Sequence, residues 1–223
     1  MPSKKASLFI DGFNLYHSLT RPHFRKYKWL NLRGLGQQFI TSTETLNHVY
    51  YFTAYSWNPD KKRRHQLYAK LNEALGCRVI LGRFQEKERT SFCLCDKLCI
   101  APNNPKSKTP CGKKFIGHEE KLTDVNIAVN ILQTCIKGES DSIYLLSGDN
   151  DLIPALEIAR ELCPSIKIRI ILPIDAKAKN LIAVCKKHDY KYMSISEKHL
   201  NKALFPDVVQ IAGVTYVKPP MWA

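Results

Sequence analysis

Short apolar runs alternate with stretches of helical apolar spacing from the start of the chain to about position 195. Ala6–Ile10 (ASLFI) reads as a buried strand that ends at the loop pair Asp11-Gly12. Leu32, Leu35 and Phe39 predict a helix over Leu32–Ile40, and His48–Tyr55 (HVYYFTAY) is a strand rich in aromatic and β-branched residues. Asp60 is placed to cap a charged helix with the stripe Leu67, Leu71 and Leu75, closing at Gly76, and Cys77–Phe84 is the next strand. Leu122, Val125, Val129, Leu132 and Ile136 predict an amphipathic helix stopping at Gly138. Ser142–Leu146 is a further buried strand, followed by the polar turn Ser147-Gly148-Asp149-Asn150-Asp151 and a helix through Leu162. A strand over Ile166–Leu172, a helix over Ala176–Lys187 and a strand over Lys191–Ile195 complete the series.

Strands alternating with helices predict an α/β fold: one mostly parallel, doubly wound sheet of five to six strands with helices on both faces. The expected organisation is one domain over residues 1–206, interrupted by a cysteine-rich insertion at 85–118, with a tail at 207–223. The tail (DVVQIAGVTYVKPPMWA) has two short apolar runs around Gly213, which suit a hairpin, an edge addition or a strand for a protein partner or a second copy. With 223 residues and 44% hydrophobic content, the chain can build one packed core, which excludes a disordered or collagen-like class. Its apolar runs are far shorter than the roughly 20 residues of a membrane-spanning helix. Met1-Pro2-Ser3-Lys4-Lys5 leads straight into a strand without the apolar stretch of a secretory signal, so a cytoplasmic location is expected.

Charge sharpens the functional picture. The net charge is +14, and residues 1–118 hold 21 Lys and Arg against 7 Asp and Glu. From Glu119 to Glu161 the balance reverses to 9 acidic and 3 basic residues. Basic surface is the footprint of a polyanion partner. Carboxylates set into such a surface repel that partner unless cations neutralise them, and a metal-dependent nuclease needs both features. A basic protein with a merely hydrated surface is the plainer alternative.

In an open parallel sheet, ligands gather at the carboxyl ends of the strands. Two strand ends here are dense in polar residues, Asp11-Gly12-Phe13-Asn14 and Ser147 through Asp151. A third acidic group, Glu120 and Asp124, is expected at i and i+4 on one helix face, which continues inward with Ala128 and Ile131. Each acid also has a purely structural use. Asp151 suits the N-cap of a helix beginning at Leu152, Asp11-Gly12 suits a turn, and Asp124 suits a pair with Lys121. Together they favour a site for Mg²⁺ or Mn²⁺, which prefers a few carboxylate oxygens and retains waters. The histidines do not cluster, no Walker loop exists, and GxGxxG is absent after the first strand.

The segments Leu8–His17 (LFIDGFNLYH), Lys121–Val129 (KLTDVNIAV) and Ile143–Pro154 (IYLLSGDNDLIP) resemble, in this order, the NYN domain in its LabA-like branch, within the PIN-like metal-dependent ribonucleases. The resemblance covers about Ser7 to Ile195. It implies a PIN-like Rossmannoid fold that binds Mg²⁺ or Mn²⁺ and cleaves RNA. The family's metal-site acids fall on Asp11, Asp124, Asp149 and Asp151, with Asn14 as a ligand or phosphate contact and Ser147 in support.

Cys93, Cys95, Cys99 and Cys111 lie within nineteen residues of the insertion, a pattern that in a cytosolic protein favours structural Zn²⁺ over disulfides, with His118 as a substitute ligand. Cys77, Cys135, Cys163 and Cys185 read as core residues. Arg21 through Trp29 interleaves cations with aromatic rings, which suits single-stranded RNA. Arg21, Arg25, Lys26, Lys28 and Lys121 are the candidate substrate-seating cations. The run Lys61–Arg64 reads as a solvated helix start, and Lys106 through Lys114 add a further patch. The leading expectation is a metal-dependent endoribonuclease. The alternatives are an RNA-binding or regulatory module with little turnover, and a protein-interaction factor using the zinc loop and tail.

Overall fold

The computed structural model of the chain describes residues 3–90 and 114–222. Its centre is β1 (Lys4–Asp11), where Leu8 and Ile10 enter one core and Phe9 the other, as the two-residue period of a strand dictates. On one side β1 pairs with β2 (Glu44–Thr53), which pairs with β3 (Cys77–Leu81). On the other side follow β6 (Ser142–Leu146), β7 (Lys167–Leu172) and β8 (Lys191–Ser194). All five pairings are parallel, giving the order β3-β2-β1-β6-β7-β8. The direction of winding reverses between β1 and β6, which makes their carboxyl ends the switch point.

Helices cover both faces. The core on one face takes Leu15 of α1 (Gly12–Ser18), Leu32 and Leu35 of α2 (Leu32–Gln37), Leu71 of α3 (Pro59–Ala74) and Leu200 of α7 (Glu197–Ala203). The core on the other takes Ile127 and Ile131 of α4 (Thr123–Ile136), Leu156 of α5 (Ile153–Leu162) and Leu181 of α6 (Lys179–Lys187). Among the described residues no helix is long and apolar enough to cross a membrane.

Four local expectations give way to the structure. Asn58, not Asp60, caps α3, its Oδ1 accepting from the Asp60 and Lys61 amides at 3.1 Å, while Pro59 fits the first turn. The strand expected over Cys77–Phe84 breaks at Gly82, and β4 (Arg83–Thr90) leaves the sheet to pair antiparallel with β5 (Lys114–Lys121). Gly82 permits this because a Cβ there would lie 2.6 Å from the Glu120 carboxylate and 2.7 Å from both the Lys121 carbonyl and the Thr123 hydroxyl. Glu120 therefore lies on β5 and does not share a helix face with Asp124. In α4 the buried face is Thr123, Ile127, Ile131, Thr134 and Cys135, whereas Leu122, Val125, Val129 and Ile136 are exposed. This helix has apolar residues on two sides, so helical periodicity alone does not tell which side is inside.

The tail forms a hairpin of β9 (Val208–Ile211) and β10 (Val214–Val217). Ala212 and Gly213 both have positive φ, the conformation a two-residue hairpin turn requires. Tyr216 and Trp222 are buried, and Trp222 packs against Trp29 and Tyr68. The sheet also buries an ion pair: Arg169 donates to Glu44 at 2.8 Å, and Tyr144 and Thr41 hydroxyls add bonds of 2.6 and 2.7 Å.

Candidate metal centre

Asp11 ends β1 and caps α1, its Oδ1 accepting the Asn14 amide at 2.9 Å. Its Oδ2 accepts the Ser147 hydroxyl at 2.8 Å from the end of β6. Ser147 Oγ in turn accepts the Asp149 amide at 3.0 Å, and the Asn14 side-chain oxygen accepts the Gly148 amide at 3.1 Å. Asn14 and Ser147 thus tie together the two loops at the switch point. Helix α1 runs so close to β2 that a Cβ on Gly12 would lie 2.4 Å from the Phe52 carbonyl. The Asp-Gly pair is therefore fixed by two separate needs, a cap and a close approach.

One carboxylate oxygen each from Asp11, Asp124 and Asp149 lies within 4.8 Å of the other two. Asp124 stands in the first turn of α4, which Glu120 holds in place by accepting the Thr123 amide at 3.1 Å and the Thr123 hydroxyl. Burial pushes the Asp11 carboxyl up from its ordinary range, and the Asp149 charge adds to this, against the pull of the Asn14 amide and the Ser147 hydroxyl. Asp124 is pushed up to about 6, first by burial and then by the charges of Asp11, Asp149, Glu120 and Asp151. Three mutually repelling carboxylates at such spacing suit a hard divalent cation with oxygen ligands.

Asp151 takes a different place. It is exposed and lies outside this cluster, although its charge reaches Asp124. Nor does it cap a helix: Asp149 accepts its amide at 3.0 Å and so caps the short turn Asn150–Leu152.

The expected substrate cations divide. Arg21 is paired with Asp175 at 2.6 Å and Lys121 with Glu119 at 3.0 Å. Lys26 lies over the Tyr27 ring at 4.9 Å, Lys28 over the Tyr16 ring at 3.9 Å, and Arg25 is exposed. Two rings of the same segment are buried and cannot meet a base: the Tyr27 hydroxyl lies 2.8 Å from both Glu197 and Asn201, and Trp29 donates to the Pro206 carbonyl. His118 stacks on Trp57 with ring centroids 4.1 Å apart and its Nε2 is 3.5 Å from Glu86. The four cysteines expected to hold zinc, and most of the basic patch from Lys106, lie outside the described residues.

Sequence reading misses a cavity of about 310 Å³ beside the acids, walled by Tyr16, Trp57, His65, Tyr68, Phe84 and His118. These residues come from five separate segments, so no spacing in the chain announces them.

The family model for the NYN domain matches residues 5–192. A 6-hydroxy-3-succinoylpyridine 3-monooxygenase of Pseudomonas putida is 25% identical, over 98% of this chain and 75% of that protein. A crystal structure of a protein of unknown function from Vibrio parahaemolyticus superposes with a TM-score of 0.51 at 15% identity, covering 92% of this chain and all of that one. That likeness concerns the fold.

Proposed function

From the premise that this chain belongs to the NYN domain family, a family of PIN-like nucleases, we propose that it is a metal-dependent endoribonuclease acting on single-stranded RNA. The observation that carries this reading is the convergence of Asp11, Asp124 and Asp149 at the switch point of a basic protein. These three would hold Mg²⁺ or Mn²⁺, with Asp151 close enough to add negative charge. When bound, such a cation supplies positive charge for the phosphodiester oxygens and acidifies water. Asn14 and Ser147 position Asp11 and Asp149 rather than touching substrate. Arg25, Lys26 and Lys28 seat the backbone of the strand, and Arg21 and Lys121 would have to leave their carboxylate partners to join them.

Asp149→Asn removes one ligand charge and retains an oxygen that can accept the Asp151 amide. It is expected to lower Mn²⁺-dependent cleavage of labelled single-stranded RNA by at least about a hundredfold without changing the circular dichroism spectrum. Undiminished cleavage would remove Asp149 from the chemistry. Parallel lanes with DNA and with EDTA separate the substrate class from the metal requirement.

One observation favours a second reading, the similarity to a 6-hydroxy-3-succinoylpyridine 3-monooxygenase. The centre would then serve hydroxylation of a small heteroaromatic acid. Its donor set weighs against this, because three carboxylates suit hard cations, whereas non-haem iron oxygenases use two histidines and one carboxylate. Oxygen uptake that depends on 6-hydroxy-3-succinoylpyridine and a reductant, with no cleavage of RNA, would select the second reading.

A further inference from the structure

The aromatic cavity shares a wall with the acidic centre. Helix α1 carries Asp11 at its cap, while Gly12, Phe13, Tyr16 and His17 of the same helix line the cavity. Asp11 is near enough to act electrostatically on His17 and on Tyr51, which also lines it. Trp57 stands at the mouth, 57% exposed, with His118 stacked on one face of its indole. An exposed, preoriented indole at a cavity of this size is a stacking platform for a planar ring.

Its rim is cationic. Lys28 and Lys61 line the opening, and Arg25 and Arg64 lie within electrostatic reach of Lys28 and of the Tyr16 ring. Among the described residues none of these four makes an ion pair, in contrast to Arg21 and Lys121. The crowding has a cost: burial and the three neighbouring cations bring the Lys28 amine down to about 8. His65, edge-on to Tyr16 at 5.3 Å, is held down to about 4 by burial and the charges of Arg64, Lys28 and Lys61, so its imidazole is neutral near pH 7. Cations that no carboxylate among the described residues neutralises, beside an aromatic hollow, call for a ligand that is both planar and anionic. The run at Lys61–Arg64, which reads in the sequence as a solvated helix start, thus puts Lys61 in the lining of this opening and Arg64 within electrostatic reach of it.

We infer that this cavity is a nucleotide subsite of the same centre, taking one unpaired base of the strand on Trp57 while Arg25, Lys28, Lys61 and Arg64 hold its phosphate. The inference rests on the nuclease reading for its strand, but the subsite itself needs no metal. A nucleotide fits better than a neutral aromatic because of the rim, and better than duplex because a base enters only when unpaired.

Tryptophan fluorescence of the full chain in EDTA tests it directly. Adenosine and uridine 5′-monophosphates should quench saturably, ribose 5-phosphate and inorganic phosphate should not, and Trp57→Phe should lose most of the signal. Arg64→Gln, a change at the rim, should weaken nucleotide binding about tenfold at unchanged melting temperature. In Mn²⁺, a single-stranded RNA carrying one abasic position should be cut about tenfold more slowly when that position falls at a fixed distance from the cut. Absence of quenching together with equal cutting of abasic strands would overturn the subsite. So would quenching by a hydroxypyridine carboxylate but by no nucleotide, which would give the cavity to a small free acid. Nucleotide quenching without cleavage of any strand would instead overturn the nuclease reading and leave the pocket occupied as described.

Discussion

A carboxylate held beside two others costs the fold stability whether or not it binds a cation. Asp124 shows this, since its raised pKa means that the charged form is disfavoured in the fold. Asp124→Asn should therefore stabilise the metal-free protein, by about 1 kcal/mol after allowance for solvent screening, or about 2–4 °C in a chain of this size. Mn²⁺ should raise the melting temperature of the parent protein, and the same variant should lose that rise. Thermal scans with Mn²⁺ and with EDTA read both effects, and a metal-induced shift of equal size in both proteins would exclude Asp124 as a ligand. At this scale the sequence was informative: Asp11, Asp124 and Asp149 stand out in it. The roles of Asn14 and Ser147 as ties between loops were not legible, because a hydrogen bond between residues 134 or 136 positions apart leaves no local pattern.

At the scale of elements, alternation located all six strands of the sheet, since buried parallel strands are short apolar runs bounded by polar turns. It could not locate the buried ion pair that links β2, β6 and β7. Glu44 is unremarkable in sequence, yet in the fold burial, which would raise its carboxyl, is outweighed by bonds from Ser142, Tyr144, Thr41 and Arg169 that bring it down to about 2. A group held below its unfolded pKa stabilises the fold fully above that value and loses its effect as the folded pKa is reached. Stability should thus fall between about pH 4.5 and pH 2, and Glu44→Gln should flatten this part of the profile. The substitution should also cost roughly 3–5 kcal/mol near neutral pH, because it leaves Arg169 unpaired within the sheet. Urea titrations across pH measure both, and an unchanged acid limb would refute the linkage. The misplaced stripe of α4 has the opposite lesson, since an apolar face is necessary for burial but not sufficient.

The whole molecule adds what neither residues nor elements contain. The hairpin tail breaks the alternation and reads as an appendage, but its Trp222 is buried against Trp29 and Tyr68 and helps line the aromatic cavity. Trp222→Ala should lower stability by about 3–5 kcal/mol, seen as a shift of the urea midpoint, and should weaken nucleotide quenching of Trp57. A midpoint within experimental error of the parent would show the tail to be merely adjacent. The cavity was invisible in the sequence for the same reason, since its walls meet only after the sheet, the β4–β5 arm and the tail have all docked.

The placement of β1 also sets a timetable. Its partner on one side, β2, follows within about forty residues, but Ser147, which fixes Asp11 from β6, is 136 residues away. At ribosomal rates of about 5–20 residues per second, roughly 7 to 27 seconds separate the emergence of these two residues. Throughout that interval the nascent chain has an unfinished sheet edge and no assembled acid cluster, so a half-made polypeptide has no place to concentrate a divalent cation.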